Sequence, residues 1–360
     1  MSALQGLSNL VSLSVSHVAL NPVVTAALLW ALTKGPANVR ERLLNAIPPV
    51  RRAEVLARAT KALKWLLALG LAGTVNRKLN ELALNAYRVN NEKKRWKWSQ
   101  EVAVVTGGCS GIGLLLVKRL VLKGVKVAIL DVQQLPPALQ GYAAIKFFAC
   151  DISDPAAVAG AAEKIKATLG SPSILVNNAG ITQPHTILNT SPEYLRKIFE
   201  VNLFSNWYTV QAFLPDMMQK NKGHIVNVAS LASYWTVGGM VDYAATKAAD
   251  MFTDVRKGLT QEIRQKHKAS NILLTSVHPN WVRTPLLEPY AARLRAGGQA
   301  LLEPAAVANA MAEQIFRCSS GQIVVPSRAA RAGTSVKGWP NWLQEAARGS
   351  LSKIVLSGTE

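Results

Sequence analysis

From Val102 onward, short apolar runs rich in β-branched residues alternate with longer stretches of helical period. VAVVT (102–106) has no polar position until its last residue, as a strand covered on both faces requires. The glycine-rich GGCSGIG follows at once, then LLLVKRLVLKG with helical spacing, then VKVAIL ending on Asp131. Further strands are predicted at IKFFAC (145–150), SILVNNA (173–179), HIVNVAS (224–230), NILLTSVH (271–278) and GQIVVP (321–326). Strands separated by helix-length segments predict an α/β fold, a doubly wound parallel sheet with helices on both faces.

The first 99 residues have a different texture. No Asp, Glu, Lys or Arg occurs from residue 2 to residue 33, and the more apolar half, VALNPVVTAALLWALT (18–33), is interrupted only by Pro22. A bilayer core about 30 Å thick needs about 20 mostly apolar residues, so this run is marginal for a span and suits an interfacial helix. WLLALGLAGTV (65–75) is too short to span. With Trp at one end and Arg58, Lys61 and Lys64 before it, it has the layout of a second interfacial helix. The connector from Lys34 to Lys61 carries seven basic and two acidic residues, which keeps the chain after it on the cytoplasmic side. A secretory signal is disfavoured because no basic residue precedes Lys34, and a mitochondrial presequence because no arginine precedes Arg40. The competing reading is a buried helical hairpin that caps the α/β domain, but buried helices seldom run so far without a charge. KKRWKW (93–98) suits a lipid headgroup layer. Without zinc spacing, a helix-turn-helix pattern or an RNA-binding aromatic motif, it gives little support to nucleic-acid binding. The organisation expected is a helical, membrane-associating region (1–99), an α/β domain (100–326) and a C-terminal tail (327–360).

Charge sharpens this division. Of 41 Lys and Arg against 21 Asp and Glu, 15 basic and only 4 acidic residues lie in the first 99 positions. Apolar residues make up 49% of the chain, which excludes intrinsic disorder. Three cysteines in 360 residues exclude a disulfide scaffold and fit free thiols. The five histidines, His17, His185, His224, His267 and His278, show no metal-ligand spacing, so no metal site is expected.

Gly107, Gly111 and Gly113 lie between a strand and a helix, the context in which a glycine motif predicts a dinucleotide pyrophosphate on a helix N-terminus. Asp131 comes 18 residues after Gly113 at a strand end, placed to accept from ribose hydroxyls and to repel a 2′-phosphate. No Lys or Arg stands in the loop or closely follows Asp131, so NAD is expected over NADP. Tyr243 and Lys247 are four residues apart, on one face if helical. A free phenol ionises near pH ~10 and a neighbouring cation favours its anion, but in isolation such a pair is common on a helix surface. Ser230, at a strand end, can hold an oxygen on which negative charge develops. Cys109 and Cys150 have no base motif beside them and read as small core residues.

The ordered set TGGCSGIG (106–113), Asp131, CDI (150–152), NNAG (177–180), Asn202, Ser230, YAATK (243–247) and PNWVRT (279–284) resembles the short-chain dehydrogenase/reductase family over about residues 100–326. The resemblance implies a Rossmann-type doubly wound sheet and a catalytic set of Asn202, Ser230, Tyr243 and Lys247. It implies cofactor contacts from Gly107, Ser110, Gly111, Ile112, Gly113, Asp131, Asp151, Asn178, Ala179, Gly180, Tyr243, Lys247, Pro279, Val282 and Thr284. Asn202 would fix a water that joins Lys247 to solvent. Where the family has Gly after the proline, this chain has Asn280, the non-glycine residue that best tolerates positive φ.

The order of segments is most similar to that of membrane- and lipid-droplet-associated retinol and 17β-hydroxysteroid dehydrogenases. That likeness implies a lipophilic alcohol or carbonyl substrate at an endoplasmic reticulum or lipid-droplet surface, with the catalytic domain facing the cytoplasm and a homodimer left open. Residues 281–302 would form an apolar substrate lid, with Arg283, Arg293 and Arg295 directed to lipid headgroups. Two alternatives are an NADPH-dependent ketone or aldehyde reductase and a non-catalytic lipid-droplet protein of the same fold. Asp131 argues against the first; Ser230, Tyr243 and Lys247 argue against the second.

Overall fold

The apolar runs fold as β1 (Val102–Thr106), β2 (Lys126–Asp131), β3 (Ile145–Ala149), β4 (Ile174–Asn177), β5 (Gly223–Val228), β6 (Ile272–Pro279) and β7 (Gly321–Val325). They pair in parallel in the order β3-β2-β1-β4-β5-β6-β7. The computed structural model describes residues 19–89, 92–249, 254–326 and 333–357. The chain divides into two compact units, Met1–Ala83 and Leu84–Glu360.

In the first unit, α1 (Pro22–Thr33) starts at Asn21, whose Oδ1 accepts from the Val23 and Val24 amides at 3.0 and 3.4 Å. Pro22 at the first helical position needs no amide donor there. α2 (Ala37–Ala46) and α3 (Ala53–Leu84) follow. Gly70 of α3 is buried because the Leu20 carbonyl crosses it: a Cβ at Gly70 would lie 2.5 Å from that oxygen. The run 65–75 is not a separate helix. It lies inside the 32 residues of α3, since no proline interrupts the helix-forming residues around it. Trp65, Leu69, Val75 and Leu79 of α3 and Val23 and Trp30 of α1 are exposed. Among the described residues no helix is long and apolar enough to cross a membrane. α1 has 12 residues, about 18 Å of helix, and residues 1–18 of the uncharged run lie outside the described residues.

In the second unit, alternate strand positions serve two cores. Val105, Ile129, Val176 and Val226 face α4 (Gly111–Leu122) and α11 (Pro304–Arg317) through Leu116, Leu120, Val307, Met311 and Ile315. Val104, Leu130, Leu175 and Ile225 face α5 (Pro155–Leu169) and α7 (Ser205–Gln219) through Val158, Ile165, Phe213 and Met217. α6 (Pro192–Phe199), α8 (Val241–Ala249), α9 (Asp254–Gln261), α10 (Glu288–Ala296) and α12 (Asn341–Leu356) are further α-helices of this unit. Between α6 and α7 lies one π-helical turn, Glu200–Phe204. The strand order reverses between β1 and β4, which opens a crevice at their carboxyl ends.

The boundary expected near residue 99 falls earlier. Arg88 donates from Nε to the Ser270 carbonyl at 2.7 Å and from Nη2 to the Ile272 carbonyl at 2.6 Å, beside β6. Burial lowers its pKa to about 10. KKRWKW is not a free basic patch either. Trp96 is buried in the first core, Trp98 stacks on it at 5.6 Å, and Phe316 meets Trp98 edge-on at 5.0 Å. Indole burial in the domain thus outcompetes exposure to a headgroup layer.

Candidate active site

The glycine loop is built by close approach. Gly107 has φ +64°, and a Cβ there would lie 2.9 Å from the Ala179 Cα. A Cβ on Gly113 would lie 2.2 Å from the Gly107 carbonyl oxygen and 2.6 Å from Asn178 Nδ2. Ser110 caps α4 but makes no side-chain cap bond, so its hydroxyl leaves the first-turn amides to another acceptor. Ile112 lies in that first turn. Asp131 is 6% exposed. Its Oδ2 accepts from the Cys109 amide at 2.9 Å and its Oδ1 from the Gln133 amide at 3.0 Å. These bonds fix the carboxylate at the strand end and leave each oxygen a second lone pair for a ribose hydroxyl. Loop, open helix end and oriented carboxylate fit a dinucleotide.

Other residues expected at the cofactor divide by what their side chains do. Asn178 Nδ2 donates to the carbonyls of Thr106 and Gly107 at 3.1 and 3.0 Å, so this side chain holds the loop from behind. Thr106, which its spacing alone does not single out, accepts at Oγ1 from the Asn178 and Ala179 amides at 3.0 and 3.1 Å. Its position at the end of β1 was the available signal. Asp151 is exposed, and the Ser153 hydroxyl and amide hold its carboxyl below the usual range, with Lys197 adding to this. Pro279 ends β6, and the next amide, Asn280, donates to the Val325 carbonyl at 2.9 Å. Asn280 is not among the residues with positive φ, so this turn does not need the left-handed backbone expected of it. Val282 bridges to Leu302, and Thr284 Cγ2 lies 3.1 Å from where a Gly111 Cβ would be, which brings 279–284 onto the glycine loop.

The four candidate catalytic residues come from two elements and one loop. Asn202 is buried in the π-helical turn. Its Oδ1 accepts from the Ile181 amide at 2.8 Å and its Nδ2 donates to the Ile181 carbonyl at 2.9 Å and to Thr246 Oγ1 at 3.2 Å. Lys247, 4% exposed on α8, donates to the Val228 carbonyl at the end of β5 at 2.9 Å. A Cβ on Gly180 would lie 3.3 Å from Asn202 Oδ1 and 4.0 Å from Lys247 Nζ, so Gly180 is where these two groups converge. Lys247 Nζ lies 6.0 Å from the Tyr243 ring centroid, as four-residue spacing on a helix dictates. Ser230 Oγ accepts from the Ala232 amide at 3.1 Å, and the Ser230 carbonyl accepts from His278 Nδ1 at 3.3 Å.

Tyr243 packs against an apolar cluster of Val237, Met240, Leu287, Tyr290, Leu294 and Val355. Thr182 Oγ1 and the Tyr290 hydroxyl are 3.2 Å apart, and burial pushes the Tyr290 phenol up to about 12. His185 Nε2 donates to Asp242 Oδ2 at 2.9 Å, a pair that ties the loop after β4 to α8 and was not anticipated. Two of the arginines assigned to lipid headgroups are engaged within the domain: Arg283 pairs with Glu303, and Arg293 donates to the Val355 carbonyl at 3.0 Å. Arg295 is exposed. Burial and nearby Asp131 push the Cys109 thiol up to about 12, and burial with Asp151 pushes Cys150 to about 11, so neither is a nucleophile at neutral pH. Among the described residues no cluster of metal-ligating side chains occurs.

Residues 101–294 match the family described as short chain dehydrogenase. The chain is 34% identical over 269 residues to dehydrogenase RED2 of Cochliobolus heterostrophus, covering 74% of this chain and 92% of that protein. It is 31% identical over 241 residues to estradiol 17-beta-dehydrogenase 11 of Pongo abelii, covering 65% and 78%. The structure of 3-ketoacyl-(acyl-carrier-protein) reductase from Brucella melitensis complexed with NADH superposes with a TM-score of 0.56 at 28% identity, over 64% of this chain and 98% of that one. With the crevice and the glycine loop already in place, these likenesses identify the chain as an oxidoreductase that binds a nicotinamide cofactor, a member of the short chain dehydrogenase family.

Proposed function

We propose that the protein is an NAD-dependent dehydrogenase that interconverts a lipophilic alcohol and its carbonyl, of the retinoid, steroid or long-chain class, at a membrane or lipid-droplet surface. The observation that carries this reading is Tyr243 on α8, with the Lys247 ammonium beneath it and an apolar cluster beside it. In the oxidation direction Ser230 Oγ hydrogen-bonds the substrate oxygen, and Tyr243 takes the hydroxyl proton. Lys247, fixed on the Val228 carbonyl, stabilises the charge on the tyrosine oxygen. Asn202 holds Ile181 by both of its backbone groups, which fixes the loop after β4 over α8. The nicotinamide, when bound, supplies the hydride acceptor.

Asp131 supports NAD, because a carboxylate fixed at the end of β2 would accept from ribose hydroxyls and repel a 2′-phosphate. The exposed apolar residues of α1 and α3, with the basic connector between Lys34 and Lys61, support attachment to an endoplasmic reticulum or lipid-droplet surface from the cytoplasmic side. The likeness to a protein named estradiol 17-beta-dehydrogenase 11 supports a lipophilic substrate. The test is a kcat/KM screen of purified full-length protein with NAD and NADP against retinoids, steroids and long-chain alcohols. NAD-linked oxidation of at least one class is expected, and no turnover of any class with either cofactor rejects the reading.

A further inference from the structure

The C-terminal helix α12 begins well beyond the residues that match the dehydrogenase family, which end at 294, yet it is seated on the candidate site. Three glycines form the seat. A Cβ on Gly238 would lie 2.9 Å from Leu356 Cδ1. One on Gly239, where φ is +81°, would lie 3.0 Å from Val355 Cγ1. One on Gly297 would lie 2.5 Å from Ile354 Cδ1. Two polar ties lock the same contact: the Gly238 amide donates to Ser352 Oγ at 2.9 Å, and Arg293 Nη1 donates to the Val355 carbonyl.

The place of this seat matters more than its tightness. Gly238 and Gly239 lie between Ser230 and Tyr243, and Gly297 caps α10, the helix of the expected lid. Leu351, Ile354 and Val355 recur at helical spacing, so one face of α12 enters the apolar cluster against which Tyr243 packs. At its other end the helix carries Trp342, 73% exposed, so the two ends present different surfaces.

We propose that α12 is a specificity element, and that its Leu351–Ile354–Val355 face closes the apolar end of the site and selects alcohols by the size of their carbon skeleton. This rests on the dehydrogenase reading above. A large skeleton buries its surface against these side chains, whereas a short one does not reach them. Substitutions on this face therefore change KM for large alcohols and leave small ones alone.

The experiment compares 2-butanol and 2-decanol as substrates of the full-length enzyme with NAD. Leu351→Ala removes part of the face. Gly297→Ala lifts the helix from its seat without backbone strain, since φ at Gly297 is −78°. Both variants should raise KM for 2-decanol about tenfold and change 2-butanol kinetics less than about twofold. Equal losses on both alcohols, or no change on either, overturn the proposal. If Gly297→Ala does not fold, Leu351→Ala decides alone. If the wild type oxidises neither alcohol, binding of 2-butanone and 2-decanone to NADH-loaded protein, followed by NADH fluorescence, is decisive. A preference for 2-decanone that Leu351→Ala removes supports the selective face. Equal binding of the two ketones, or a preference that the variant keeps, overturns it.

Discussion

Gly113→Ala tests the glycine loop at its tightest point. The added Cβ would stand 2.2 Å from the Gly107 carbonyl oxygen, and contacts under 3.0 Å essentially never occur. The loop and the first turn of α4 must therefore separate by about 1 Å, and Asn178 Nδ2, 2.6 Å from the same Cβ, must release at least one of its two carbonyls. Overpacking of this kind costs about 1–3 kcal/mol, which a domain stable by about 5–15 kcal/mol survives. Binding suffers as well, because phosphate oxygens need amide donors within a few tenths of an ångström, and losing one hydrogen bond to a charged group costs about 1.5–3 kcal/mol, up to about 100-fold in affinity. NADH titration by fluorescence, with a thermal melt of the same sample, separates the two effects. The expected result is a folded protein with NADH affinity weaker by up to about 100-fold. Affinity within twofold of wild type would refute the close-approach argument.

Tyr243→Phe should reduce turnover to a few per cent or less with NADH affinity nearly intact, measured by steady-state rates and by titration. Asp131→Ala should lower kcat/KM with NAD and narrow its gap to NADP. An unchanged NAD to NADP ratio would show that the carboxylate does not set the preference. A chain beginning at Leu84 should stay folded and leave the membrane fraction, whereas one beginning at Gln100 loses Arg88 and Trp96 and should melt lower. Fractionation and melting curves check both. All three cysteines are held above the ordinary thiol value of 9.0 by burial, to about 12, 11 and 11. The unfolded chain releases these protons first, so stability should be full below pH 9 and fall as pH rises toward 11. Urea midpoints across that range should flatten when the cysteines are replaced by alanine.

The strands were legible because an all-parallel sheet buries both faces, and runs such as VAVVT and ILLTSV have no other use in an α/β domain. The glycine loop and Asp131 were legible from local spacing, and the Tyr243–Lys247 pair from its place in an ordered set of motifs. What escaped was tertiary. KKRWKW has the composition of a surface patch, yet Trp96 is buried in the first core and Trp98 meets Phe316, more than 200 residues away. Asn178 was expected at the cofactor from its place in NNAG, while its side-chain amide is spent on the Thr106 and Gly107 carbonyls. The His185–Asp242 pair joins residues 57 apart in sequence, a distance at which no periodicity speaks.

The π-helical turn at Glu200–Phe204 gives the site a dependence on chain length as well as on residue type. Such a turn accommodates one residue more than regular α-helix would, and each helical residue advances the side chains by about 100°. Deleting Glu200 or Val201 from this turn would let α6 and α7 run on as regular helix. It would also swing the residue at position 202 about a quarter-turn away from Ile181 and Thr246. A deletion neutral for the helix would thus be ruinous for the loop it holds. Over these five positions the chain has no freedom to gain or lose length.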